Sequence, residues 1–216
     1  MKPQILVINP NSNESVTRSI DKSLDSCRAD HDVDISCLTV ADGPFAIETE
    51  DDIRVATPLV VNEIWGNDRA DAFVIACYAD PGLEESRAKT TKPVFGIQES
   101  AIALSATYGR RFGVLALSWD SIQRHIAYVR QLGCQDFHAG ERPLDISVDD
   151  AVNDPAVLQK ILETGRQLIE EDGAETLVFG CAGLATHRKA AQMELGVPII
   201  DPVEAAVTMA IETLNA

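Results

Sequence analysis

The feature that most restricts the fold of this chain is a long internal repeat. Phe73-Val74-Ile75-Ala76-Cys77 matches Leu177-Val178-Phe179-Gly180-Cys181 at an offset of 104 positions. Pro93-Val94-Phe95 matches Pro198-Ile199-Ile200 at an offset of 105, which also sets Glu99 against Glu204. Ile5-Leu6-Val7-Ile8 matches Phe112-Gly113-Val114-Leu115 at 107, which sets Asn11 against Ser118. One such match means little, because buried strands resemble one another. Three in the same order at nearly one spacing indicate an internal duplication, with a period far too long for a solenoid. The chain therefore reads as two similar α/β halves facing each other. Residues 1–97 with 206–216 form the expected first domain and 98–205 the second. No Pro-, Gly- or Ser-rich linker divides them, so the expected cleft lies between closely packed halves.

Apolar runs alternate with helical patterns throughout. Val16, Ile20, Leu24 and Cys27 follow helical spacing after the Asn9-Pro10-Asn11-Ser12 break, and Val33, Ile35, Cys37 and Thr39 alternate as in a strand. Thr49 with Glu50-Asp51-Asp52 suits a helix start, Asp80-Pro81 reads as an N-cap followed by the first helical residue, and Asp154-Pro155 starts another helix. Residues from Gly133 to Asp150 read as a loop. Strands alternating with helices imply parallel sheets covered on both faces, and in such sheets ligands bind beyond the carboxyl ends of the strands. Asn9 to Asn13, Cys77 to Asp80, Ser118 and Cys181 to Gly183 all fall at such ends.

Paired thiols at matching strand ends suit abstraction of a proton beside a carbonyl, with one sulfur acting as base and the other as acid on the opposite face. A free thiol is only a few per cent ionised near neutrality, so its surroundings must favour the thiolate. Both cysteines precede expected helices, whose unpaired N–H groups would do so, and two thiolates close together would repel, leaving one shared proton. Asn11, Ser118 and the backbone N–H groups after each cysteine are candidate donors to a developing enolate oxygen. The residues alone leave open whether Cys77 and Cys181 are catalytic or are two buried structural thiols.

The combination of VINPNSN (7–13), GPFAIETEDD (43–52), ACYADPGL (76–83), FGCAGL (179–184) and PIIDPVEAA (198–206) resembles the hydantoin/allantoin racemase branch of the aspartate/glutamate racemase superfamily, over nearly the whole chain. The resemblance implies two flavodoxin-like domains related by a pseudo-twofold axis. It also implies racemisation by two bases without a cofactor or metal. Cys77 and Cys181 match the catalytic pair. Asn11, Ser12, Ser118, Tyr78, Ala79, Ala182 and Gly183 match ligand-binding positions, and Pro44 and Ile47 match a motif that walls the pocket. Glutamate racemases resemble the chain less: they carry Thr after each cysteine, where this chain has Tyr78 and Ala182, and a His directly after the second, whereas His187 lies further on. A neutral cyclic ureide fits these departures better than an amino-acid zwitterion. Arylmalonate decarboxylases keep only the second cysteine, and the motifs of maleate isomerases match less well. An aspartate- or glutamate-type racemase and a non-catalytic small-ligand binder on the same fold are the alternative readings.

Charge narrows the partners. A formal net charge of −16, with no Lys/Arg cluster, argues against nucleic acid or an anionic membrane. No run approaches a membrane span, and no secretion signal is read at the start. Five cysteines without a disulfide spacing suit reduced thiols in the cytoplasm. The expected partners are a small-molecule substrate and further copies of the chain in a homo-oligomer. Asp201 with Glu204 reads as a capping box, Glu99 likewise, and Asp80 as a cap. His187 reads as a surface or satisfied histidine. His31, His125 and His138 lack metal-ligand spacing, Cys27 and Cys37 read as packing, and Cys134 has no assigned role.

Overall fold

The computed structural model describes residues 2–108 and 111–216. In chain order its elements are β1 (Gln4–Asn9), α1 (Glu14–Ser23), α2 (Asp25–Asp30), β2 (Asp34–Thr39), α3 (Glu50–Trp65), β3 (Ala72–Ile75), α4 (Leu83–Arg87), β4 (Val94–Gly96) and α5 (Ile97–Thr107). The second half adds β5 (Phe112–Ala116), α6 (Trp119–Gln131), β6 (His138–Pro143), α7 (Asp150–Asn153), α8 (Val157–Glu170), β7 (Thr176–Phe179), α9 (Arg188–Leu195), β8 (Ile199–Ile200) and α10 (Pro202–Leu214). Two sheets result, ordered β2-β1-β3-β4 and β6-β5-β7-β8, with every pairing parallel.

The repeat survives at the level of hydrogen-bond register. Ile5 pairs with Ala72 as Phe112 pairs with Thr176, and Phe73 pairs with Val94 as Leu177 pairs with Ile199. The inner strands β3, β5 and β7 are buried at every residue, which is why they read as unbroken apolar runs rather than alternating ones. One apolar core runs through both halves, joining Ile5, Val7 and Val74 to Leu115, Leu177 and Phe179. Helix α10 returns from the second sheet to pack on β1, β3, β4 and α5.

Three local expectations change. The stretch from Gly133 to Asp150 is not simply a loop: it contains β6, paired to β5 from His138 opposite Phe112 to Pro143 opposite Ala116. His-Ala-Gly-Glu-Arg-Pro carries no strand-like alternation, and Pro is tolerated because β6 lies at the sheet edge. The expected first helix divides at Leu24 into α1 and α2, although Val16, Ile20, Leu24 and Cys27 still form one buried face.

The third change concerns Asp80, which caps a helix other than the one that follows it. Helix α4 starts only at Leu83, after Gly82 at φ +78°, and Asp80 itself sits at φ +44°. Its buried carboxylate instead accepts from the N–H groups of Gln98 (3.0 Å) and Glu99 (2.9 Å), at the start of α5. In the second half Asp201 does this locally, accepting from Val203 (2.9 Å) and Glu204 (3.4 Å) of α10. The residue matching Asp201 is Gly96, at the offset of 105. A β-carbon at Gly96 would collide with the Asp80 carboxylate, so the missing side chain makes room for the remote cap. Neither glutamate completes a capping box. Glu99 pairs with Arg87 at 2.5 Å and Glu204 with Arg188 at 2.8 Å. By contrast Thr49 and Asp52 form a full capping box on α3, as expected of that helix start.

Gly96→Ala is expected to lower the unfolding free energy by about 1–3 kcal/mol, the usual scale for overpacking a closed site. In urea denaturation its cost should shrink when Asp80→Ala is already present, because the colliding group is gone. Equal cost in both backgrounds would show that the clash lies elsewhere.

Candidate active site

The site forms where four strands of the two sheets run out at their carboxyl ends. Asn11 follows β1, Cys77 follows β3, Ser118 follows β5 and Cys181 follows β7, and all four line one cavity of about 210 Å³. Gly180 is needed just before the second cysteine, because a β-carbon there would stand 2.8 Å from the carbonyl oxygen of Leu115. The Asn-Pro-Asn turn is braced from within. Asn11 Oδ1 accepts from Asn9 Nδ2 and from the Asn13 N–H, both at 3.0 Å, which leaves the Asn11 amide nitrogen available as a donor.

The Gly183 N–H donates to Cys181 Sγ at 3.4 Å, and the Ala79 amide, likewise two residues after its cysteine, favours the Cys77 thiolate. Both thiols are nonetheless neutral at ordinary pH. Burial pushes Cys77 up to about 12, with the neighbouring Cys181 and Asp80 adding to the rise, while the Ala79 amide and Arg124 pull the other way. Burial pushes Cys181 up to about 11, Glu48 adding, against the Gly183 amide. This corrects the expectation that helix starts lower both values. One amide per sulfur does not offset desolvation, and α4 begins six residues beyond Cys77.

Of the residues singled out from sequence, Asn11, Ile47, Cys77, Tyr78, Ala79, Ser118, Cys181 and Ala182 line the cavity. Ser12, Pro44 and Gly183 do not. The Ser12 N–H donates to the Pro44 carbonyl at 2.9 Å and so ties two loops together, while Gly183 acts on the sulfur as described. His187 is half-buried outside the lining, and burial lowers its pKa. The lining also contains residues not picked out beforehand, among them Glu48, Asp120, Ser121, Arg124, His125, Ile146 and Val148. Ser121, Arg124 and His125 follow Ser118 at helical spacing, a signal that was present in the sequence. Ile146 and Val148 gave none, because the path of the chain after β6 was not readable.

Loop residue Glu48 also bridges the halves. Its carboxylate accepts from the Val148 N–H at 2.8 Å, and its carbonyl accepts from Arg124 Nη2 at 3.2 Å. Asn13 Nδ2 donates to Asp149 at 2.9 Å on the opposite side. Among the described residues no group of three or more His, Cys, Asp or Glu side chains is gathered as a metal site, and no helix is long and apolar enough to cross a membrane.

Matching parallel sheets with a cysteine just past each of two equivalent strand ends define an α/β fold of the two-domain racemase type. The family model described as Asp/Glu/Hydantoin racemase matches residues 5–210. A hydantoin racemase of Paenarthrobacter aurescens is 35% identical over 96% of this chain and 89% of its own length. Another from Pseudomonas sp. (strain NS671) is 36% identical, covering 96% and 84%. The structure of an allantoin racemase from Klebsiella pneumoniae superposes with a TM-score of 0.90 at 29% identity, covering 99% of this chain and 88% of that one. The chain belongs to the Asp/Glu/hydantoin racemase family, and it is an isomerase.

Alkylation by iodoacetamide tests the neutral thiols, since only the thiolate reacts. Read by mass spectrometry at each cysteine, rates at Cys77 and Cys181 should rise about tenfold per pH unit from about pH 7 to 10, with no plateau, because the thiolate fraction follows hydroxide below the pKa. Asp80→Asn should speed Cys77 and leave Cys181 unchanged. A plateau below about pH 8 would overturn the assignment.

Proposed function

We propose that this chain racemises a cyclic ureide, a 5-substituted hydantoin or allantoin, by proton transfer between its C5 and two cysteines. The observation that carries the reading is the presence of both cysteines in the wall of one cavity, at equivalent strand ends. The named substrates of the relatives support the choice of ureide.

In the forward direction one cysteine, as thiolate, takes the C5 proton, and the electron pair moves onto the adjacent carbonyl oxygen. The opposing thiol then returns a proton to the other face, so one proton has crossed from the second sulfur to the first. The opposite enantiomer runs the same path in reverse. Backbone N–H groups, Asn11 Nδ2 and the Ser118 hydroxyl would hold the enolate oxygen, a role supported by the presence of Asn11 and Ser118 in the cavity lining. The high pKa values limit how often a thiolate is present but make it a strong base once formed, which suits a weak carbon acid. The ureide carbonyls spread the charge, so this path draws on no cofactor.

Enantiopure substrate in D₂O should lose optical rotation while deuterium enters at C5, with kcat/KM rising from about pH 7 to 9 as the thiolate population grows. Cys77→Ala and Cys181→Ala should each cut racemisation by about 10²–10⁴-fold, the scale of a lost acid/base group. Full turnover by either variant removes the two-base assignment. Exchange with aspartate or glutamate and none with ureides would move the substrate class. Tight ureide binding without any exchange would make the protein a binder.

A further inference from the structure

The proton-transfer scheme leaves one buried polar cluster in the cavity wall without a role. His125, in the second turn of α6, lines the cavity and is only 4% exposed. Its Nδ1 lies 2.8 Å from Oε2 of Glu141 on β6, whose side chain is 0% exposed. The other Glu141 oxygen is 3.4 Å from His138 Nε2. Tyr78, directly after Cys77, meets the His125 ring edge-on, with centroids 4.9 Å apart and planes at 78°. One imidazole is therefore gripped from both halves of the molecule: a carboxylate sets the role of each nitrogen, and an aromatic ring restrains the plane.

The chemistry of the grip determines what His125 offers. With Glu141 as a carboxylate, which only accepts hydrogen bonds, a neutral His125 ring carries its proton on Nδ1 and presents Nε2 as an acceptor. Nδ1–Glu141 is the only hydrogen bond His125 makes among the described residues, so Nε2 is unengaged. Asn11 Oδ1 is already occupied by Asn9 and Asn13, and the carboxylates in the wall, Glu48 and Asp120, belong to exposed residues, whereas His125 is buried. The donors described above suit the carbonyl groups of a ureide. Its ring N–H groups need an acceptor, because a buried unpaired N–H is costly.

We propose that His125 contacts the substrate, accepting a hydrogen bond from a ring N–H through Nε2, and that Glu141 and Tyr78 are positioning residues that hold its ring. This rests on the ureide racemase reading and adds the residue that distinguishes a ring bearing N–H from its N-alkylated counterpart. A site built around such a bond rejects analogues that lack the donor.

The test compares a 5-substituted hydantoin with its N1-methyl and N3-methyl derivatives, followed by C5 deuterium exchange. Wild type should lose about tenfold or more in kcat/KM on at least one methylation. His125→Asn keeps an amide near the Nδ1 position for Glu141 but removes Nε2. In this variant the methylation penalty should fall to within about twofold of unity, with the loss on the parent compound appearing mainly in KM. General damage would lower parent and methylated substrates together and leave the ratio unchanged. Glu141→Gln provides a second arm that preserves shape. Its amide can donate to Nδ1, moving the ring proton to Nε2, so the parent's KM should rise about tenfold with kcat less affected. If wild type shows no methylation penalty, or both variants retain it in full, the His125 contact is wrong although the racemase stands. If wild type exchanges no hydantoin at all, the underlying reading fails instead.

Discussion

Desolvation at the ends of buried parallel strands is the constraint on which the rest of this structure depends. Sheets of this kind are covered on both faces, so the chain can expose polar groups only where a strand stops. Here two sheets share one apolar core, and their carboxyl ends meet across a small cavity. Each cysteine thus emerges from an apolar run into the wall of that cavity. Burial raises both thiols, and a single amide on each sulfur moderates the rise without reversing it. A thiolate made in such a place is scarce and strongly basic, and those two properties together suit removal of a proton from carbon.

The halves are equivalent in strand order and register but not in how they secure the helices behind the site. Asp201 caps α10 from its own strand end, whereas α5 borrows Asp80 from the loop that carries Cys77. The borrowed cap fixes that loop, at the expense of a positive φ at Asp80 and an obligatory glycine at 96. It also places the Asp80 carboxyl group near Cys77, whereas the acidic neighbour of Cys181 is Glu48, so the two thiols differ in their charged surroundings. The ion pairs Arg87–Glu99 and Arg188–Glu204, by contrast, recur in both halves.

Contacts across the cleft come from segments with weak local signals. Glu48 reads locally as part of an acidic helix start, yet it closes on Val148 and Arg124 of the other half. Tyr78 reads as a departure from a family pattern, yet its ring lies 4% exposed among core residues of the second half, against His125. These contacts join segments more than 40 positions apart, and no periodicity encodes them.

The sequence by itself determined the duplicated α/β plan, the strand ends that carry Asn11, Cys77, Ser118 and Cys181, and the family. Apolar runs, turn residues and their spacing are local properties that survive in one dimension. Only the tertiary structure decided that β6 exists, that Asp80 caps a distant helix, that both thiols are neutral, and that His125 and Glu141 stand in the wall of the site. Each of these depends on which remote groups exclude water from one another or share a proton, and such distances are set by packing.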